Sequence, residues 1–530
     1  MGTPISALPI AGALTGDELI PIVQGGVTKH TIVDDLGPAI PYTPAGTGTV
    51  ATTVQSKLRE FVSILDFYAN GASGARVDPT GVIDSTAGIQ AALNSGLSNT
   101  VIAPKGIYKV TAPITIPENV ALVGSGYQTE FAASAVTGPV FRFGPDGVMT
   151  YRVSLRHVRI SGTATVAVRL DNSLNCIMED VHADGSFTNA FEFTYVYPGH
   201  FKSLSTSGGT VSNACFYFGN EVNACVFDNL YTSTFCQYNF LWDGTGHGNT
   251  FNTPTAQGGR IGFYVKNTGY FGGITVNGLY EENSAKPIVI GALTGGSGFN
   301  VVFNGATLGG PISSHPFYNE SGVAIDLVEA YGCVFNGIDF VGTLHSAGYP
   351  TVTFAGDGSG ARGVVRVNPS GTIHSVVVLT PGSGYTTCTA TISAGQGAGC
   401  TLFVNLSGGG VQSVDLVSAG SGYQRANTPM AVRYGLTSRV KFSGCRVNPT
   451  GGGINHPLYP YLCRSPDIGN SYLSSLSIDD ISLRSGSIGC DAKLMKMGTN
   501  SQGDTFALIE YAYPSGTQSV YAYNVMSYPT

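Results

Sequence analysis

The sequence predicts an all-β chain wound as a right-handed parallel β-helix, with short N-terminal helices, an inserted small β module and a C-terminal β cap. Three observations predict it. Charged residues make up 11% of the chain, and Gly 73 of its 530 residues; average domains carry roughly 25% charge and about 7% Gly. Low charge, abundant Gly and many Val, Ile, Thr, Phe and Tyr describe short strands joined by many turns. From about residue 114 to 345 the chain also repeats loosely. An apolar residue follows each turn at Val181, Leu204, Leu230, Pro254, Leu279, Ala306 and Ile338, 23 to 32 residues apart, which is the period of a solenoid rung with three short strands. Finally, Phe191/Phe193, Phe216/Phe218, Phe263/Val265 and Ile288/Ile290 fall where one inward column of stacked side chains would run.

The elements follow in order. Residues 1–45 hold two apolar runs, Glu18–Val23 and Val27–Val33, split by Gln24-Gly25-Gly26, a hairpin signal in a segment too small to bury its own core. In residues 46–70, Val54, Leu58, Phe61 and Leu65 share one face of a helix, which three parallel copies could bury. Residues 71–349 form the β-helix. Its capping helix covers Thr86–Leu93, with Asp84 or Ser85 as N-cap, and Ile114, Ile116, Val120 and Leu122 then switch to the period of two of a strand. A helix leading into the first strands shields their edge.

The motif Phe-Asn-Gly at 303 and 335 returns as Phe-Ser-Gly at 442, one rung plus roughly 80 residues later by the period above. Those extra residues, 350–433, contain a duplication: residues 356–385 parallel 395–423, each unit ending in Gly-Ser-Gly-Tyr at Tyr385 and Tyr423. They read as an inserted two-repeat β module. Residues 434–470 complete the last rungs. In 471–530, two alternating strands around Pro514-Ser515-Gly516 suggest a C-terminal cap or trimerisation region.

Four segments occur in one order: TVQSKLREFVSILDFY (53–68), STAGIQAAL (85–93), VIAPKGIYKV (101–110) and ITIPENVALVGSG (114–126). They resemble the neck helix, capping helix, first strand and first full rung of phage tailspikes of the pectate-lyase-like superfamily. The start, around ISALP…LTGDELIPIVQGG, is similar to the segment that anchors many tail fibre and spike proteins to the virion. The resemblance implies a homotrimeric receptor-binding spike of the virion tail, assembled in the host cytoplasm. Residues 1–45 would join it to a tail, baseplate or adaptor protein. It would bind, and by hydrolysis rather than a lyase reaction depolymerise, a bacterial surface polysaccharide such as capsule or O-antigen. The alternative is a non-catalytic receptor-binding spike or fibre.

Composition argues against other partners. The net charge is −7 and no Lys/Arg run occurs, so no nucleic-acid groove is expected. No apolar run reaches the ~18 residues of a membrane span, and no secretory signal opens the chain. Ten scattered Cys without a CxxC pair read as buried thiols. No cofactor is expected. A pectate-lyase-type calcium site would need an Asp cluster on adjacent rungs, which the sequence lacks, so no metal is expected either.

Glycosidic hydrolysis needs two carboxyl groups. Tyr280-Glu281-Glu282 lies where similar tailspikes carry a Tyr-x-Glu element. Counted from inward Leu279, Tyr280 and Glu282 point outward. Glu281 points inward, in a column with Ala183, Thr206, Thr232, Ala256, Leu308 and Phe340. A carboxyl there breaks a ladder of apolar or small residues at a cost of about several kcal/mol if unpaired, the kind of violation that marks functional sites; otherwise the register slips by one and both Glu face solvent. The outward column reads His182/Asp184, Ser205/Ser207, Tyr231/Ser233, Thr255/Gln257 and Tyr280/Glu282, and its hydroxyl, amide and aromatic groups suit sugar. Catalytic candidates are therefore Glu282, Glu281, Asp228 and Asp243, and glycan-binding candidates Tyr280, Tyr231, Gln257 and Trp242. Trp242 equally fits the inner ladder two residues after Phe240. His200 and His247 have no Ser or Cys at motif spacing, so nucleophilic triads lack sequence support.

Overall fold

The computed structural model describes residues 40–447 apart from 270–271, 293–295, 311–314, 317–322, 341–349, 368–371, 394–396 and 424–429. It also describes the backbone of strands at 19–24, 27–32, 462–464, 476–484, 491–499, 505–512 and 518–525. The rest of the expected N-terminal anchor and C-terminal region lies outside the described residues.

Leu19–Gln24 and Val27–Ile32 pair antiparallel, with Gln24 opposite Val27. Past residue 40, the expected long helix differs. Thr53 caps it, its hydroxyl accepting from the Ser56 N–H at 3.1 Å, but the helix covers only Val54–Leu58. Tertiary burial overrides the helical period. Val62 and Ile64 are buried, and Val62–Ser63 pairs in parallel with Val101–Ile102 as part of the first rung. Ser63 and Asp66 then cap each other's backbone to start a separate 3-10 turn. Leu58 and Phe61 are left 69% and 60% exposed.

The capping helix spans Thr86–Asn94 and buries Ile89, Ala92 and Leu93. Ser85 occupies the N-cap position, but the side-chain cap comes from Asp84, whose Oδ1 accepts from the Thr86 N–H at 3.1 Å. The Gln90 amide donates to the Thr115 carbonyl and accepts from the Thr115 N–H, both at 2.8 Å. One side chain thus replaces the strand that would otherwise pair with this edge.

From Val101 to Phe340 the strands of each rung pair in parallel with those of the next. The seven apolar anchors read from sequence are all buried, and outward Ser205, Tyr231, Thr255, Tyr280, Thr307 and Asp339 pair in succession. The interior is laddered aromatic packing. Phe191, Phe216, Phe240 and Phe263 stack at 5.0, 5.1 and 5.2 Å between ring centroids, and Phe193, Phe218 and Trp242 at 5.2 and 5.0 Å. These spacings follow the ~4.8 Å between strands, and each pair adds about 0.5–1.5 kcal/mol beyond its buried area.

One corner explains the Phe-Asn-Gly motif. At His157, Asp180, Ser203, Asn229, Thr253, Gly278, Gly305, Gly337 and Gly444 the backbone turns through the left-handed region, with φ between 49° and 68°. Glycine meets that demand at no steric cost. The residue before each of the later corners forms a side-chain ladder. Asn252, Asn277, Asn304 and Asn336 bond in sequence at 2.9–3.0 Å, and Asn252 donates to Asp228 at 2.6 Å. The Phe before that points inward, and Phe303, Phe335 and Phe442 stack at 5.5 and 4.7 Å.

Phe335 pairs with Phe442 across the intervening chain. Strands between Thr351 and Ser421 pair antiparallel only among themselves: Thr351–Gly356 with Cys388–Ser393, Ser359–Val367 with Ile373–Ser383, and Ala398–Ser407 with Gly410–Ser421. Tyr385 and Tyr423 are both buried, over Gly358 and Gly397, where a Cβ would come within 2.5 and 2.4 Å of the respective ring. That contact is why each unit couples its glycine turn to Gly-Ser-Gly-Tyr. The preceding rung crosses from Leu308 to Val323 through residues 309–322. Replacing 341–429 with a copy of 309–322 is expected to leave the shaft folded, with a circular dichroism spectrum still dominated by β structure. Loss of cooperative unfolding would make 341–429 part of the shaft.

Met430–Ser438 and Val440–Val447 rejoin the parallel stack, and Leu476–Arg484 continues it. The pairing then turns antiparallel through Asp491–Thr499, Thr505–Ala512 and Gln518–Val525.

Candidate functional site

The outward column itself carries only polar and aromatic hydroxyl side chains, from His182 and Asp184 to Tyr280 and Glu282. At its far end four of the sequence candidates form one hydrogen-bonded chain. The Tyr231 hydroxyl donates to Gln257 Oε1 at 3.3 Å, Gln257 Nε2 donates to Glu282 Oε2 at 3.2 Å, and the Tyr280 hydroxyl donates to the same oxygen at 3.0 Å. Tyr231 and Tyr280 are 37% and 44% exposed; Gln257 and Glu282 are half-buried. The bond to the Glu282 carboxylate raises the Tyr280 phenol above its ordinary value. Period-two geometry does the positioning. Tyr280 and Glu282 flank Glu281 on one short strand, and that strand pairs with Thr255–Gln257 on one side.

Glu281 points inward, between Ala256 and Leu308, so the register does not slip. It is 1% exposed. Oε1 accepts from the Ser284 N–H at 2.8 Å, while Oε2 has no hydrogen-bond partner among the described residues. Burial pushes its carboxyl up to about 8, against the pull of the Ser284 and Gly309 N–H groups, so it is protonated in the fold at neutral pH. A side chain so placed reaches no polymer outside.

The remaining candidates lie elsewhere. Asp228 stands at the corner, bound by His200 Nε2 at 2.7 Å and by Asn252. Burial lifts its carboxyl, but those bonds outweigh it and hold the group below the usual range. Asp243 pairs with Lys266 Nζ at 2.6 Å. Trp242 is corrected as a sugar platform: it is 1% exposed, stacked on Phe218, and its indole N–H donates to the Gly244 carbonyl at 2.9 Å.

The near end of the same face holds residues that the sequence reading missed. Arg159 Nε donates to Asp184 Oδ2 at 3.0 Å and Nη1 to Glu130 Oε2 at 2.8 Å. The Arg159 guanidinium lies 4.6 Å over the exposed Tyr127 ring, whose hydroxyl donates to Asp184 at 2.7 Å. The signal was available. Glu130 pairs with Arg159, and the Asp184 N–H donates to the Ile160 carbonyl, so extending the column two rungs back from His182 reaches both. Among the described residues no group of three His, Cys, Asp or Glu is arranged to hold a metal, and no helix is long and apolar enough to cross a membrane.

No family model matches the chain, and no curated protein matches it. Solved structures do. A mutant tailspike protein of E. coli bacteriophage HK620 in complex with pentasaccharide matches at 16% identity and TM-score 0.43, over 58% of this chain and 62% of that one. A hexasaccharide complex of a mutant of the same protein matches at 14% and 0.46, over 84% and 69%. The N-terminal fragment of bacteriophage phi29 gene product 12 matches at 12% and 0.49, over 81% and 63%. The chain therefore spans less than two thirds of the length of the first of these. The parallel β-helix of this chain rests on its own strand pairings.

Proposed function

We propose that the chain is the distal spike of a bacteriophage tail, which attaches to a bacterial surface polysaccharide and cleaves it by hydrolysis. The observation that carries this is the bonded chain Tyr231–Gln257–Glu282–Tyr280. It sets an accessible carboxylate among phenol and amide groups along a rigid face, where a polymer can lie across successive rungs. Glu282 is the first catalytic carboxyl. Asp339 is the second: it follows Thr307 in the column of Tyr280, two rungs across and two residues along from Glu282, and so about 12 Å from it between backbones. From there a side chain can reach the ~6.5–9.5 Å separation of an inverting pair. The resemblance of residues 53–126 to tailspike segments supports the same reading. Residues 1–45 would dock to the tail, and 471–530 would clamp three chains.

Incubating purified protein with polysaccharide from a susceptible host is expected to release oligosaccharides. Binding without release would favour a receptor-binding spike. The exposed Leu58, Phe61, Val82 and Ile107 near the N-terminal end are apolar surface that association would bury. Sedimentation is expected to give about three times the chain mass; a value near 54.9 kDa would rule out the trimer.

A further inference from the structure

Toward the near end of the polar face, beside Tyr127, three side chains outside the Glu282 group form a connected set. Asp180 sits at the left-handed corner with φ 53°. Its Oδ1 lies 2.9 Å from His182 Nε2, and its Oδ2 lies 3.0 Å from His157 Nδ1. His182 Nδ1 lies 2.6 Å from Ser205 Oγ, on the adjacent strand where His182 and Ser205 are directly paired. Asp180 and His182 keep 36% and 25% of their side-chain surface exposed, and Ser205 is half-buried. Solvent and a polymer can therefore reach the set.

The partners fix the proton positions. Nε2 faces a carboxylate, which only accepts, so Nε2 carries the imidazole proton. Nδ1 is then the acceptor, and the Ser205 hydroxyl must donate to it. This is the arrangement of a nucleophile, a base and an orienting carboxylate, which is recognised by geometry and role, not by order in sequence. The second hydrogen bond, from His157, fixes the Asp180 carboxylate from its other side. Burial lifts the Asp180 carboxyl, but the bonds from His157 and His182 outweigh it and hold the group below the usual range, so it stays a carboxylate.

From this geometry we propose that Ser205, His182 and Asp180 form an esterase site that hydrolyses small acyl esters of exposed alcohols. Asp180, His182 and Ser205 each keep part of their surface in solvent, which suits a small acyl group carried on a large molecule. Ser205 Oγ attacks the ester carbonyl carbon as its proton passes to His182 Nδ1. Tyr231, exposed and one rung beyond Ser205, holds only a 3.3 Å bond through its hydroxyl, which can turn to the developing oxyanion. The tetrahedral carbon then expels the alcohol oxygen, which takes the proton from His182. Water repeats the steps: it loses a proton to His182 Nδ1, its oxygen bonds the acyl carbon, and the bond between that carbon and Ser205 Oγ breaks. The proton returns to Ser205 and the carboxylic acid leaves. No oxidant, metal or cofactor is required.

The assignment rests on the triad geometry and not on polysaccharide cleavage, and the two have separate readouts: acid release for this site, new reducing ends for the other. The test treats the full-length protein with a fluorophosphonate probe and, separately, with 4-nitrophenyl acetate. The probe is expected to form a phosphonyl ester on the peptide containing Ser205, and to do so neither in Ser205→Ala nor in His182→Ala. Ser205→Ala is expected to lower kcat/KM for the aryl acetate by at least about 10³-fold at an unchanged unfolding midpoint, and Asp180→Asn, which tolerates the left-handed corner, by about 10²-fold or more. An unlabelled Ser205 in the wild-type protein, or equal hydrolysis by Ser205→Ala, would overturn the assignment and leave the set a hydrogen-bonded ladder of the solenoid surface.

Discussion

Glu282→Gln is expected to lower polysaccharide cleavage by about 10² to 10⁴-fold, the usual contribution of a positioned acid or base. The amide keeps the shape of the side chain. Its oxygen can still accept from the Tyr280 hydroxyl and from Gln257, which now meet at Glu282 Oε2 at 3.0 and 3.2 Å. What it cannot do is take or give a proton at the scissile bond. Trimer mass and polysaccharide binding should therefore survive while reducing-end release falls. Full activity in this variant would remove Glu282 from catalysis. The neighbouring Glu281→Gln, buried on the opposite side of the same strand, should cleave as the wild type does.

That same Glu281→Gln change carries the second large effect, on stability. A carboxyl held at about 8 in the fold, from an ordinary value of 4.5, binds a proton that the unfolded chain has released. The sign follows directly. Its contribution to stability is complete below about pH 4.5, declines as the pH rises, and is lost by about pH 8. At pH 7 the loss is about 3 kcal/mol per chain. The amide of the variant does not titrate, so it should unfold at a higher denaturant concentration than wild type at pH 7 to 8 and close to it at pH 4. Taking the difference between the two proteins cancels every other titrating group. Parallel pH profiles for the two would mean that Glu281 is ionised in the fold through contacts that compensate it.

Much of this was legible because a solenoid converts sequence spacing into contact. Once Leu279 is set inward, period two alone sends Glu281 inside and Tyr280 and Glu282 out, and rung spacing alone pairs Tyr231 with Thr255. The Phe-Asn-Gly triplet was visible as a motif, and its meaning is three adjacent jobs: core stack, amide ladder, left-handed corner. The helical reading of 53–68 failed because a helical face counted along the chain is blind to Val101, the partner that draws Val62 into a strand. Trp242 was readable either way, and the choice fell to the aromatic column one rung below it. Asp180 and His182 were separately visible in sequence. Their convergence on Ser205 needed the corner at Asp180, a backbone turn that no spacing rule reports.

The break in the stack between Phe335 and Phe442 has a kinetic consequence. Elsewhere each new rung meets one about 25 residues away, but here the two pairing strands are separated by 107 residues. Closing the longer loop costs about 1 kcal/mol more in chain entropy if the intervening residues are disordered. If the strands between Thr351 and Ser421 form first, antiparallel and local, the effective loop shrinks and most of that cost disappears. The inserted module would then act as a staple during assembly, setting when the last rungs dock. Slower protection of the amides around Phe442 in a variant whose module cannot fold would be its signature in pulsed hydrogen exchange.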